Sequence, residues 1–354
     1  MKGIHPGIPF LSGRIAFDGT PSGEGCQRRI FMILTIGLFL FGFAFLIKGG
    51  DWFVDGATGI AHRFHLPELL IGATVVSIGT TLPEVMVSAQ AALQHNSGIS
   101  YGNAIGSIIC NAALIAAITI AVRPAPVKRK TLQLPVMGFF IAAIFYCLIA
   151  YTVGEFKRWH GIVFLIMFVV YMVLSVKKMK QDGAEAEDGG EAAEIKESTV
   201  GKDILLLVVG AVLIAIGARL LVDNGTIIAE ALGVPSSVIG LTMVALGTSL
   251  PELITAITAL RKGSGALSLG NVIGANLFNI VLVSGTAITI SPFQIPAEKM
   301  LMGMNSSLLV DIPVMLGVMS LLCFPALAKE KLFRWQGITL LIIYACFVTY
   351  QFMI

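Results

Sequence analysis

Charge is scarce in this chain of 354 residues. Only 13% of them are Asp, Glu, Lys or Arg, against about 25% in a typical soluble domain. The deficit excludes an ordinary water-soluble domain of this size. Cysteine is sparse as well. Cys26, Cys110, Cys147, Cys323 and Cys346 form no CxxC pair and mostly lie in apolar runs. That excludes a disulfide framework and leaves buried thiols. The five histidines offer no metal spacing beyond His62 and His65. That pair lacks a third ligand nearby and reads as interfacial polar residues. No P-loop, GxSxG elbow or nucleic-acid module occurs, so neither nucleotide hydrolysis nor a nucleic-acid partner is expected. The net charge of +3 says little about partners, because a membrane protein places Lys and Arg by topology.

What the chain has in abundance is apolar sequence. Mean hydropathy is +0.87, and hydrophobic stretches of about 20 residues recur along the whole length, as in a polytopic helical membrane protein. Ten spans are expected, near 31–48, 69–93, 101–122, 132–150, 160–177, 203–222, 236–260, 267–289, 305–324 and 335–353. Residues 1–30 form a Gly- and Pro-rich N-terminal tail without a signal-peptide pattern. Residues 178–202 are the only long hydrophilic stretch and read as a solvated linker. With the N-terminus outside, 16 of the 24 Lys and Arg residues fall on the inner side. The positive-inside rule therefore favours N-out and C-out, with the linker in the cytoplasm.

The chain also repeats itself. Shifted by 168 residues, "VDGATGIAHRFHLPELLIGATVVSIGTTLPE" (54–84) meets "VDNGTIIAEALGVPSSVIGLTMVALGTSLPE" (222–252) without a gap. The register holds through "GNAIGSIICN" (102–111) and "GNVIGANLFN" (270–279). This is internal duplication. Each half carries five spans, and an odd number forces the second half to enter from the opposite side. The expected fold is an all-α membrane protein of ten transmembrane helices in two inverted five-helix repeats, 31–177 and 203–354. Such folds bind substrate near the midplane, on helices interrupted by Gly and Pro.

The duplicated segment holds a carboxylate at membrane depth, Glu84 in one half and Glu252 in the other. Insertion scales put the cost of an acid at a helix centre near +3 kcal/mol. Such residues persist where they face a cavity and meet a cation. Pro83 removes a backbone donor and Gly79 loosens the turn before it. The helix is expected to open there, freeing carbonyls and hydroxyls of residues 77–81, Thr81 among them, with Ser249 as its counterpart. The second motif, GNxxG, allows close helix approach. Asn111 and Asn279 each follow their Glu by 27 residues, and Ser107 stands one turn before Asn111. The assembled set is all-oxygen with charge −2, suited to Ca²⁺ or to two or more Na⁺. Asp55, Asp223 and Asp311 each precede a helical pattern and read as N-caps near an interface. Lys48 and Arg219 read as snorkelling residues at span ends.

The paired motifs "GTTLPE…GNAIGSIICN" and "GTSLPE…GNVIGANLFN" closely resemble the two alpha repeats of the cation/calcium exchanger superfamily, above all its prokaryotic sodium/calcium exchanger branch. The resemblance covers roughly residues 31–354. It implies a prokaryotic cytoplasmic membrane protein, not an enzyme, that needs no cofactor and exchanges several Na⁺ for one Ca²⁺. It also implies alternating access by sliding of the first and sixth helices past a fixed core. Carried over by position, Glu84 and Glu252 are the shared carboxylates, with Thr80 and Thr248 beside them. Ser77 and Ala245 give backbone carbonyls to flanking Na⁺ sites, and Ser107, Asn111 and Asn279 complete the ring. Two positions depart from the family pattern. Ala275 stands where Ser is common, so one Na⁺ site lacks a hydroxyl, and Ile108 stands where Asn276 sits in the other half. In the potassium-dependent branch the position of Asn279 is typically Asp, so K⁺ is not required here. Rival readings are a Ca²⁺/H⁺ or other cation/H⁺ antiporter and a passive cation channel. An intramembrane aspartyl protease is more remote, because "GGD" at 49–51 has no YD partner.

Overall fold

The computed structural model describes residues 21–124, 126–188, 199–232, 247, 249–296, 300–301 and 303–353. Almost all of them are helical. The helices are α1 (Pro21–Arg63), α2 (Glu68–Leu93), α3 (Ser97–Val122), α4 (Arg129–Val153), α5 (Arg158–Asp188) and α6 (Val200–Ala231). They continue with α7 (Leu250–Arg261), α8 (Gly265–Ile290), α9 (Ser307–Lys329) and α10 (Arg334–Met353). Among the described residues, eight of these are long and apolar enough to cross a membrane: α1 to α6, α8 and α9. Short antiparallel pairings, Glu155–Phe156 with Phe293–Gln294 and Met300–Leu301 with Met304–Asn305, tie loops together at one end.

Burial sorts the helices into a core and a shell. The apolar window of α8 is 89% buried and that of α3 72%, against 17% for α1 and 22% for α6. The shell helices turn Ile33, Leu40, Phe41, Ile166, Val169, Leu205 and Val212 outward. A soluble monomer rarely exposes so much contiguous apolar surface; in a bilayer it is the solvated face. The protein is an integral membrane protein.

α1 and α6 lie antiparallel in backbone contact. A Cβ on Gly42 would stand 2.9 Å from the Gly217 carbonyl oxygen. A Cβ on Gly49 would stand 2.9 Å from that of Gly210, and one on Gly56 2.5 Å from that of Asp203. The seven-residue spacing of these glycines places them on one stripe, the small-residue packing used where lipid offers no hydrophobic drive between helices. This packing corrects the expected first span of 31–48. α1 begins at Pro21 and continues to Arg63, because close packing outweighs the poor helix propensity of its glycines. Likewise α5 runs through Asp188 into the segment read as linker. Its Ala- and Glu-rich sequence forms helix readily, and Lys130 pairs with Asp182 at 3.4 Å.

The N-cap readings fail for the same reason. Asp55 lies inside α1 and meets Lys262 Nζ at 2.8 Å. Asp223 lies inside α6, 3.6 Å from Arg219. Asp311 ends a widened turn, makes no capping bond, and accepts a hydrogen bond from Gln351 Nε2 at 2.8 Å. Each acid does precede an apolar helical pattern, but that pattern continues a helix already begun. Lys48 is also interior to its helix, over the Trp52 ring at 5.2 Å.

Candidate functional site

α2 carries the first motif. Its turn at Gly72–Val76 is widened to a π-helical pitch before regular helix resumes at Ser77. The opening thus lies one turn earlier than the expected 77–81. The cause is α8. A Cβ on Gly72 would collide with the Leu267 carbonyl, and one on Gly274 with Ala73 and Ser77. Only glycine permits that approach, and α2 widens to accommodate it. Ser77 Oγ fills the widened turn by donating to the Gly72 carbonyl at 2.8 Å, and Tyr171 Oη donates to the Ala73 carbonyl at 2.9 Å. Pro83, inside the helix, leaves the Gly79 carbonyl without its usual donor.

The second motif widens too, at matching places in the two halves. π-helical turns occupy Asn111–Ala116 in α3 and Asn279–Ser284 in α8, each opening at the asparagine. Such turns occur frequently at functional sites. Ser284 Oγ donates to the Asn279 carbonyl at 2.9 Å.

These interruptions bring the candidate residues together. Glu84 and Glu252 are completely buried, and their charges lie close enough to interact. None of their four carboxylate oxygens has a hydrogen-bond partner among the described residues. The same holds for Thr81 Oγ1, Ser249 Oγ and both amide atoms of Asn111 and Asn279. Thr80 is buried, donates to Asn271 Oδ1 at 3.1 Å and neighbours the Glu252 carboxylate. Ser107 and Ala275, equivalent by repeat, are both buried. Thr248 and Ala245 lie outside the described residues.

Buried polar groups without partners are costly and uncommon. Here they concentrate on the two duplicated motifs. No trio of His, Cys, Asp or Glu gathers among the described residues, so the donors are two carboxylates and neutral oxygens. That chemistry suits hard cations. A crevice lined by Phe53, Gly79, Thr80, Pro83, Ala211 and Ile214 joins the motif to the α1–α6 pair.

Two asparagines escaped the sequence reading. Asn103 Nδ2 donates to the Glu84 carbonyl at 3.0 Å and to Ser88 Oγ at 2.8 Å. Asn271 Oδ1 accepts from Thr80 Oγ1 and lies beside Ser77 Oγ. A signal was present, since the two asparagines match across the repeat and amides inside apolar helices need partners.

Two carboxylates buried in a lipid-facing helical bundle, Glu84 on a helix with a widened turn, are the pattern of a membrane protein that handles hard cations at bilayer depth. The sodium/calcium exchanger protein family matches residues 34–177 and 202–353, and the chain belongs to that family. The sodium/calcium exchanger MaX1 of Methanosarcina acetivorans is 30% identical, over 92% of this chain and 99% of its own. An uncharacterized membrane protein of Methanocaldococcus jannaschii is 38% identical, over 88% and 96%. The sodium-calcium exchanger NCX_Mj, in a structure soaked with Na⁺ and Ca²⁺, is 36% identical and superposes with a TM-score of 0.74, over 90% of this chain and 98% of that one.

Proposed function

We propose that this protein is a secondary antiporter that exchanges Na⁺ for Ca²⁺ by alternating access. The observation that carries the reading is the Glu84–Glu252 pair, buried together without hydrogen-bond partners in a chain of the sodium/calcium exchanger family. Glu84 and Glu252 are the shared carboxylates. Thr80, Thr248, Thr81, Ser249, Ser107, Asn111 and Asn279 supply neutral oxygens, and Ser77 and Ala245 supply backbone carbonyls for Na⁺. The spans number ten, in inverted repeats 31–177 and 203–354 joined by the cytoplasmic segment 178–202. Both termini face outward from a prokaryotic cytoplasmic membrane.

The charge of the site explains obligatory exchange. Two ionised carboxylates leave −2 at bilayer depth, and moving bare charge through that environment is costly. One Ca²⁺ neutralises the pair, and so do two Na⁺. The loaded forms can change access and the bare form cannot, which makes transport an exchange. The glycine-lined α1–α6 pair packs across its own interface by backbone contact, a suitable surface for a pair that moves as one body past the core.

The test is radiocalcium accumulation in proteoliposomes under an imposed outward Na⁺ gradient, with and without a protonophore. Uptake that follows the Na⁺ gradient and ignores the protonophore supports the proposal. Uptake driven by a pH gradient and indifferent to Na⁺ replaces it with cation/H⁺ exchange.

A further inference from the structure

The two halves use the same asparagine in opposite senses. In the first half Asn103 acts as a donor, through Nδ2, to the Glu84 carbonyl and the Ser88 hydroxyl of its own repeat. In the second half the position matching Ser88 is Ala256, which offers no hydroxyl. Asn271 instead turns its Oδ1 across the repeat boundary, where it accepts from Thr80 Oγ1 at 3.1 Å and lies 3.2 Å from Ser77 Oγ. Asn271 is fully buried.

The consequence follows from the hydroxyl inventory. A threonine hydroxyl has one proton and two lone pairs, and it binds a cation only through a lone pair. The proton must go elsewhere. Ser77 has other acceptors, the Gly72 carbonyl at 2.8 Å and the Asn271 carbonyl at 3.0 Å. Thr80 neighbours two acceptors, Asn271 Oδ1 and the Glu252 carboxylate. A proton given to Glu252 would occupy a carboxylate lone pair and turn Thr80 toward the wrong partner. A proton given to Asn271 leaves both Thr80 and Glu252 facing the ion.

We propose that Asn271 is a positioning residue that takes the Thr80 proton and so aims the Thr80 and Glu252 lone pairs at the transported cation. This rests on the assignment of Thr80 and Glu252 to the cation site above. Partners of this kind orient ligands, and losing one typically lowers metal affinity by about 10- to 100-fold.

The test measures half-saturating Ca²⁺ for Na⁺-driven uptake in proteoliposomes. It compares wild type, Asn271→Leu, Thr80→Val, the double variant and Asn271→Asp, with Glu84→Gln alongside. Asn271→Leu is expected to raise half-saturating Ca²⁺ by about 10- to 100-fold. In the Thr80→Val background the same change should add less than about twofold, because residues that act through one contact are not additive. Asn271→Asp keeps an acceptor oxygen in place and should recover part of the lost affinity. If the single effects multiply in the double variant, Asn271 acts by packing and the proposal falls. Should Asn271→Leu fail to insert, Asn271→Ala in the two backgrounds is read the same way. If Glu84→Gln is inactive while Asn271→Leu keeps the wild-type half-saturation, only the Asn271 inference fails. Normal transport by Glu84→Gln overturns the site itself, and the inference with it.

Discussion

Glu84→Gln should have opposite effects on the cation-free and the Ca²⁺-bound protein. Glu84 and Glu252 are completely buried and their oxygens lack hydrogen-bond partners among the described residues. Two like charges about 4 Å apart repel by about 4 kcal/mol at an effective dielectric near 20. Replacing one carboxylate by the isosteric amide removes that repulsion, so the variant in chelator should melt no lower than wild type. A divalent ion at the same distance loses about 8 kcal/mol of attraction. If the amide dipole recovers two thirds of it, about 2.7 kcal/mol remains lost, which is about 100-fold in Kd. Wild type held at 100 times its Kd gains about 2.7 kcal/mol from Ca²⁺, and at the same concentration the variant should gain less than about 0.5 kcal/mol. Thermal unfolding in detergent, with chelator and with a Ca²⁺ series, reads both quantities. A variant that keeps the Ca²⁺-dependent rise in Tm, or that melts well below wild type in chelator, would refute the reasoning.

Three further outcomes are expected. Gly210→Leu drives a side chain into the backbone of α1, where a Cβ alone would lie 2.5 Å from Phe53 N; it should cost about 1–3 kcal/mol and abolish uptake. Gly37→Leu, with nothing within 4 Å of its Cβ, should leave the melting curve and uptake unchanged, and equal behaviour of the two variants would contradict the packing described. Lys262→Met removes ion pairs to Asp55 at 2.8 Å and Asp51 at 3.8 Å; both partners are partly exposed, so denaturant unfolding should register less than about 1 kcal/mol. Replacing K⁺ by choline on both sides should leave wild-type uptake unchanged, since Asn279 is neutral, whereas Asn279→Asp adds a third charge and should alter the cation dependence. Wild-type transport that stops without K⁺ would show the ring to be wrongly assigned.

The repeat singled out residues that the fold buries. A shift of 168 residues aligned Glu84 with Glu252 and Asn111 with Asn279, and the structure gathers all four in the core. Less legible was anything decided by packing between distant segments. The extension of α1 to Arg63 depends on glycine contacts with α6, about 160 residues away in sequence. Local propensity alone reads those glycines as breaks. The widened turn was sought beside Pro83, whose effect is local. It lies at Gly72–Val76 because α8 presses there, and no spacing rule within α2 contains that information. The partners of Asp55 and Asp311 are distant in sequence too, Lys262 just past the end of α7 and Gln351 in α10.

The asparagines matched across the two motifs differ in how far the protein itself satisfies them. Both motifs read GNxxGxxxxN, with a pair of asparagines at its fixed positions, and the second holds one more, Asn276. The first of each pair is hydrogen-bonded to α2, Asn103 through Nδ2 and Asn271 through Oδ1, while Asn271 Nδ2 has no partner among the described residues. The second, Asn111 or Asn279, has both amide atoms buried and unpartnered among the described residues, as do the Glu84 and Glu252 carboxylates. Leaving a buried polar group unpaired costs about 1–3 kcal/mol, so a fold that only had to be stable would pair them. An exchanger has the opposite need. A ligand already bonded within the protein must break that bond before it can take an ion, and each such bond would weaken cation binding and slow the swap of one ion for another. On the proposed assignment, stability given up at Asn111, Asn279 and the two glutamates becomes affinity for the cation. The halves differ in step with Ser88 and Ala256: Asn103 donates to the Ser88 hydroxyl, whereas Asn271 accepts from Thr80.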